Sequence, residues 1–195
     1  LVGKNKMSNF AVQKAKYQVK MQFLDQYKIQ YSGLNIGLHH FDFEIDDTFF
    51  ELTAFPDVKS GKLSVGVDLE KQENMMIFRI NINGTVELRC DRCLDTFDYP
   101  LEIEEQLIVK QVVEVKESDD DTLMYVDMQE HTLDFSHILY EYISVSIPIQ
   151  HIHPEIEPGV SGCDPEMIKK LEDLSKPQFN SQWDALKGLT PEENN

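Results

Sequence analysis

From Met76 to Cys90 every even-numbered residue except one glycine is apolar or a cysteine: Met76, Phe78, Ile80, Ile82, Gly84, Val86, Leu88, Cys90. From 79 onward the odd positions between them carry Arg79, Asn81, Asn83, Thr85, Glu87 and Arg89. A period of two held over this length specifies a long strand with one face buried and one face wet. One local signal opposes it. Asn83-Gly84 is the dipeptide of a two-residue hairpin turn. A hairpin there sets Ile80 opposite Glu87 and Asn81 opposite Val86, mixing apolar and polar residues on one face. The parity therefore predicts one unbroken strand, with Gly84 at a bend or a close backbone approach. The strand delivers Cys90-Asp-Arg-Cys93 into a turn. Phe97, Tyr99, Leu101 and Ile103 then return in odd parity, and Pro100 suits an edge or a bulge.

The remaining pattern is that of an α+β chain. Tyr27, Ile29 and Tyr31 alternate, as do Phe41, Phe43 and Ile45, and Leu63, Val65, Val67 and Leu69. Phe49, Phe50 and Leu52 read as a turn anchored in the core, and Leu123 to Val126 as a short added strand. Asp134 caps the best helix, with Phe135, Ile138, Leu139, Tyr142 and Ile143 on one stripe and Pro148 as its stop. A Pro/Gly loop leads to Cys163. Asp164-Pro165 opens a shorter helix that reaches Leu174. The expected fold is a mostly antiparallel, strongly bent sheet or partial barrel, covered by one main helix and followed by short C-terminal helices. The expected organisation is a basic leader over 1–20, a single α+β domain over 21–175, and a tail over 176–195. In the tail Trp183, Leu186 and Leu189 form an amphipathic stripe fit for docking on this protein or a partner.

Charge narrows the partners. The chain carries 18 basic and 35 acidic residues, a net of −17. Residues 1–20 contain five lysines and no acid, so the remainder stands at −22. Such a body repels phosphate backbones outside a local basic patch and attracts basic proteins. The acidic run Glu117 to Asp121 has no ordering glycine loop and reads as solvated rather than cation-binding. No stretch is apolar for the ~18 residues that cross a bilayer, and the N-terminus lacks an apolar signal core, which points to the cytoplasm.

Three cysteines in such a setting are thiols or metal ligands rather than disulfides. Cys90-x-x-Cys93 has four readings. It is half of a zinc site, completed by Cys163 with His153, or with His151 in its place. It is a thiol-redox pair, which its place at a strand end in acid-rich surroundings disfavours by raising the thiol pKa. It presents Arg89 and Arg92 to RNA. Or it only tightens a turn. His39 and His40, adjacent on a strand, point to opposite faces and share no metal. No phosphate loop, nucleophile elbow or His-Glu helix pair is present.

Leu88-Arg-Cys-Asp-Arg-Cys-Leu94 resembles the Cys-x-Arg-Cys-Leu signature of the bacterial YceD proteins, the large ribosomal RNA subunit accumulation family. Ser32 to Gly37, Phe41 to Ile45, Phe49-Phe50 and the Asp134 helix with Pro148 are similar to the same family, over most of 21–189. Many members carry a second cysteine cluster after the helix. This chain has only Cys163, with His151 and His153, so a four-thiolate site within one chain is excluded. The family's Asp-Pro-Arg tail is replaced by Asn180-Ser-Gln182. The resemblance implies a non-enzymatic role in accumulation or processing of large-subunit ribosomal RNA. Together with the charge it implies ribosomal or RNA-processing proteins as partners, with precursor large-subunit RNA touched only near Arg89 and Arg92; the one structural zinc is what the Cys90, Cys93, His153 and Cys163 reading would hold. The alternative is a zinc-dependent or thiol-redox enzyme using Cys90 and Cys93.

Overall fold

A computed structural model describes residues 18, 20–56, 58–115, 118–120 and 122–175. Most of the basic leader lies outside them, as does the tail with Trp183, Leu186 and Leu189. The described residues form two compact units. One comprises those up to Arg89 together with Thr96–His151; the other comprises Cys90–Asp95 and those from Ile152 onward.

In the first unit, β1 (Lys28–Gln30) precedes β2 (Gly37–Ile45), α1 (Asp47–Thr53), β3 (Gly61–Lys71), β4 (Met75–Arg89), β5 (Thr96–Val112), β6 (Leu123–Asp127), β7 (Thr132–Asp134) and α2 (Phe135–Ser146). One sheet has the order β2-β3-β4-β5-β6, antiparallel except for the parallel β5–β6 pair, and β1 pairs separately with β7. Its strand order is open, with β2 and β6 at the two ends, so it is not a closed barrel.

β4 runs without interruption through Asn83-Gly84, as its parity requires. Val65 faces Ile82 and Leu69 faces Phe78 on one side; Ile82 faces Ile103 and Phe78 faces Leu107 on the other. All of these are buried, so the apolar registers of three strands make one continuous face. Gly84 has φ +152°, and a Cβ there would run into the Lys62 carbonyl of β3. The glycine serves a close strand approach and not a turn.

The stretch Asp47–Thr53 is a helix where the sequence suggested a turn. Asp46 accepts hydrogen bonds from the Thr48 and Phe49 amides, and Ala54 closes the helix at φ +54°. Two adjacent carboxylates at its start are favourable there, and Phe49 and Phe50 are both buried. α2 begins where expected: Asp134 accepts from the Ser136 amide at 2.9 Å and from its hydroxyl at 2.6 Å. Phe135 sets its ring edge-on to Phe78 at 5.1 Å, and Ile138, Leu139 and Ile143 are buried. Ile147 is extended before Pro148, which ends the helix. Among the described residues no helix is long and apolar enough to cross a membrane.

The second unit holds the Cys90–Asp95 turn, a small hairpin of β8 (Glu155–Glu157) and β9 (Val160–Ser161), and α3 (Pro165–Ser175). Pro158-Gly159 forms the hairpin turn, with Gly159 at φ +83°. That is the combination a type II turn demands. α3 starts where the Asp164 side chain accepts from the Glu166 amide at 3.0 Å.

Candidate metal centre

Two local structures within the second unit bring four donors together. The first is the turn. The Cys90 amide donates to the Asp95 carbonyl at 2.8 Å and the Leu94 amide to the Cys90 carbonyl at 3.0 Å, with Leu94 at φ +68°. This folds the Arg92 amide back onto Cys90 Sγ at 3.4 Å. The second is the β8–β9 hairpin, in which Glu155 pairs with Ser161. Carrying that register two residues outward sets His153 against Cys163. The Cys163 amide donates to Ser161 Oγ at 3.2 Å, which fixes the departing chain.

Cys90, Cys93, His153 and Cys163 thereby place their donor atoms within 4.8 Å of one another. The three cysteines are buried and unbridged, and His153 is half-buried. Cys90 Sγ lies 3.7 Å from Cys163 Sγ, and Cys93 Sγ lies 3.4 Å from His153 Nδ1. Zinc bonds of ~2.3 Å to sulfur and ~2.0 Å to nitrogen in a tetrahedron give edges of about 3.8 Å for two sulfurs and 3.6 Å for sulfur and nitrogen. The donor set therefore fits zinc in type, number and spacing. His151, the alternative considered from sequence, is not among the four.

The thiols differ. Burial opposes ionisation of Cys90. The Cys93 and Arg92 amides and then His153 outweigh it by hydrogen bonding to the sulfur, and the pKa falls to about 6. This overturns the expectation that acid-rich surroundings hold Cys90 up: directed N–H donors at contact distance dominate over more distant carboxylates. Cys163 moves upward, first through burial; a Ser161 hydrogen bond opposes this, and the neighbouring Cys90 sulfur adds to it. A divalent cation relieves that repulsion between neighbouring thiolates.

Gly162 went unremarked in the sequence. A Cβ there would sit 2.5 Å from the Pro154 carbonyl oxygen and 3.3 Å from the His153 Cβ. Only glycine lets the two arms of the hairpin close at the level of the donors, and its place just before the third cysteine was the available signal. Arg89 and Arg92 are both exposed.

The chain is an α+β protein with a Cys₃His cluster. It belongs to the family described as large ribosomal RNA subunit accumulation protein YceD, whose profile matches residues 78–190, more than half of the chain. The match includes all four clustered residues; the Ser32 to Phe50 stretch lies upstream of it. No curated protein and no solved structure matches the chain significantly.

Proposed function

We propose that this protein is a non-enzymatic ribosome-biogenesis factor of the cytoplasm. It supports accumulation or processing of large-subunit ribosomal RNA as an acidic adaptor for basic ribosomal or RNA-processing proteins. The family match over residues 78–190 carries this reading. The net charge of −17 favours basic proteins over phosphate backbones and confines RNA contact to the neighbourhood of Arg89 and Arg92. Residues 21–175 act as the working domain, with Trp183, Leu186 and Leu189 available for docking.

In this reading Cys90, Cys93, His153 and Cys163 hold one zinc. Four protein donors leave no open position, which is the arrangement of a structural site and not of a catalytic one. The metal would fasten the Cys90–Asp95 turn to the β8–β9 hairpin within the second unit. The test has two arms. Elemental analysis of the purified chain should find one zinc, lost in Cys90→Ser and in Cys163→Ser. In cells lacking the protein, large-subunit RNA should fall relative to small-subunit RNA, with wild type restoring the ratio and Cys90→Ser failing to. An unchanged ratio removes the biogenesis role. A metal-free chain whose Cys90 reacts rapidly with a thiol reagent at neutral pH replaces the zinc with the redox alternative.

A further inference from the structure

β5 contains one position that breaks its own pattern. Its core-facing residues Leu101, Ile103, Leu107 and Val109 are buried, but Glu105 occupies the same register, opposite Ile80, and is exposed. Glu105 borders a groove of about 590 Å³ between β5 and α2, whose wall also includes Tyr140, Glu141, Tyr142 and Val145. Among the described residues no lysine or arginine lines it. Glu141 has an exposed contact with His137 Nδ1 at 3.3 Å, and Glu105 makes no ion pair with any described residue. The Tyr142 hydroxyl holds its proton more tightly than usual, through burial and then the charges of Glu105 and Glu141. Both carboxylates thus bear on the same half-buried ring.

The strand pairing beside the groove also stops short. β6 pairs with β5 only from Ile108 to Val112, and among the described residues β5 from Leu101 to Leu107 has a strand neighbour only in β4. An extended peptide can add to such an edge by main-chain hydrogen bonds, with side chains choosing the partner.

We propose that this groove and the adjoining β5 edge dock an extended, lysine- or arginine-bearing segment of a partner protein, one cationic side chain lying between Tyr140, Tyr142, Glu105 and Glu141. Tyrosine faces and carboxylates together suit a cation with an aliphatic stem, and Val145, exposed on the rim, offers that stem an apolar contact. Nucleic acid meets repulsion here, and a second copy brings its own −17 charge to the same face. The inference deepens the basic-partner reading above and rests on it.

The test is an amide-resolved NMR titration of the full chain with a synthetic peptide of alternating arginine and valine, and with its glutamate–valine counterpart. Shifts should gather at residues 105–107, 122 and 140–145 with the basic peptide only. Glu105→Gln should weaken binding about fivefold or more. Glu87→Gln, which removes the same charge from the opposite, odd-numbered face of β4, should stay within about twofold. Equal losses in the two variants mean unspecific attraction and overturn the proposal, as do shifts centred elsewhere. Self-association of the chain lost on Glu105→Lys assigns the edge to a second copy and overturns it too. Any of these failures leaves the biogenesis role standing, because that role is judged by the ribosomal RNA ratio.

Discussion

Gly162 decides whether the cluster can close. Its absent Cβ is the space that the Pro154 carbonyl and the His153 Cβ fill, so Gly162→Ala must push the hairpin arms apart. Metal donors tolerate displacements of only a few tenths of an ångström. Gly162→Ala is expected to purify with well under one zinc per chain while β2–β6 keep their far-ultraviolet signature; full zinc content would refute the steric account. Residue chemistry was legible here as far as donor type went. Cys90, Cys93, His153 and Cys163 were identifiable because cysteine and histidine are scarce in the chain. What selects His153 over His151 is the hairpin register, and that depends on a pairing between Glu155 and Ser161 that no periodicity announces. His40 offers an independent check on the surface electrostatics. Its ring bonds Asp68 at 2.6 Å and Asp42 at 3.0 Å, and these hold its pKa above the ordinary value, the Asp68 bond first. The protonated ring is favoured in the folded state. Its stabilising contribution is therefore complete below the ordinary histidine pKa and disappears as pH rises through the raised one. Asp68→Asn should shift the His40 titration, followed by NMR, back downward; an unmoved midpoint would show that Asp68 is not the cause.

At the scale of elements, β4 shows a long-range pattern defeating a local one. Asn83-Gly84 has the composition of a tight turn, yet the even register on both sides of it is committed to the core by Phe78, Ile80, Ile82, Val86 and Leu88, all buried. A turn at that point would expose half of them, at ~1.5–3 kcal/mol for each large side chain. A turn propensity is worth far less. Gly84→Ala tests what the glycine does instead. A methyl group there meets the Lys62 carbonyl in a backbone conformation alanine avoids. The variant should lose about 2 kcal/mol or more in urea unfolding, and a neutral result would mean that β3 shifts freely aside. The elements that the sequence hid are the short ones. α1 was obscured because its two phenylalanines occupy adjacent positions, Phe49 and Phe50, which fit no helical stripe. β7 and the β8–β9 pair are too brief for a period to emerge, and the segment that holds β8 and β9 read only as a Pro/Gly loop.

For the whole molecule the governing quantity is charge. The sheet's exposed registers bear Asp42, Glu44, Asp68, Glu87, Asp98, Glu102 and Glu104 against Lys62, Arg79, Arg89 and Lys110, and Arg79 is spent on Glu70 at 3.3 Å. A family named for the accumulation of a ribosomal RNA would suggest an RNA-binding surface, yet this surface lacks the cationic field that sequence-independent RNA binding needs. The two statements agree if the protein reaches the RNA through the basic proteins that bind it. Affinity for naked RNA of unrelated sequence should then be weak at ~0.15 M salt and should gain little on dilution to ~0.05 M, since few phosphate contacts mean few released counterions. Binding to a lysine-rich ribosomal protein should instead tighten strongly over the same dilution, because complementary net charges are unscreened as the Debye length grows. Filter binding on both ligands across that salt range separates the cases. A steep salt dependence on RNA, abolished by Arg89→Gln with Arg92→Gln, would make the turn beside the cysteines the RNA-binding element and leave the adaptor reading without support.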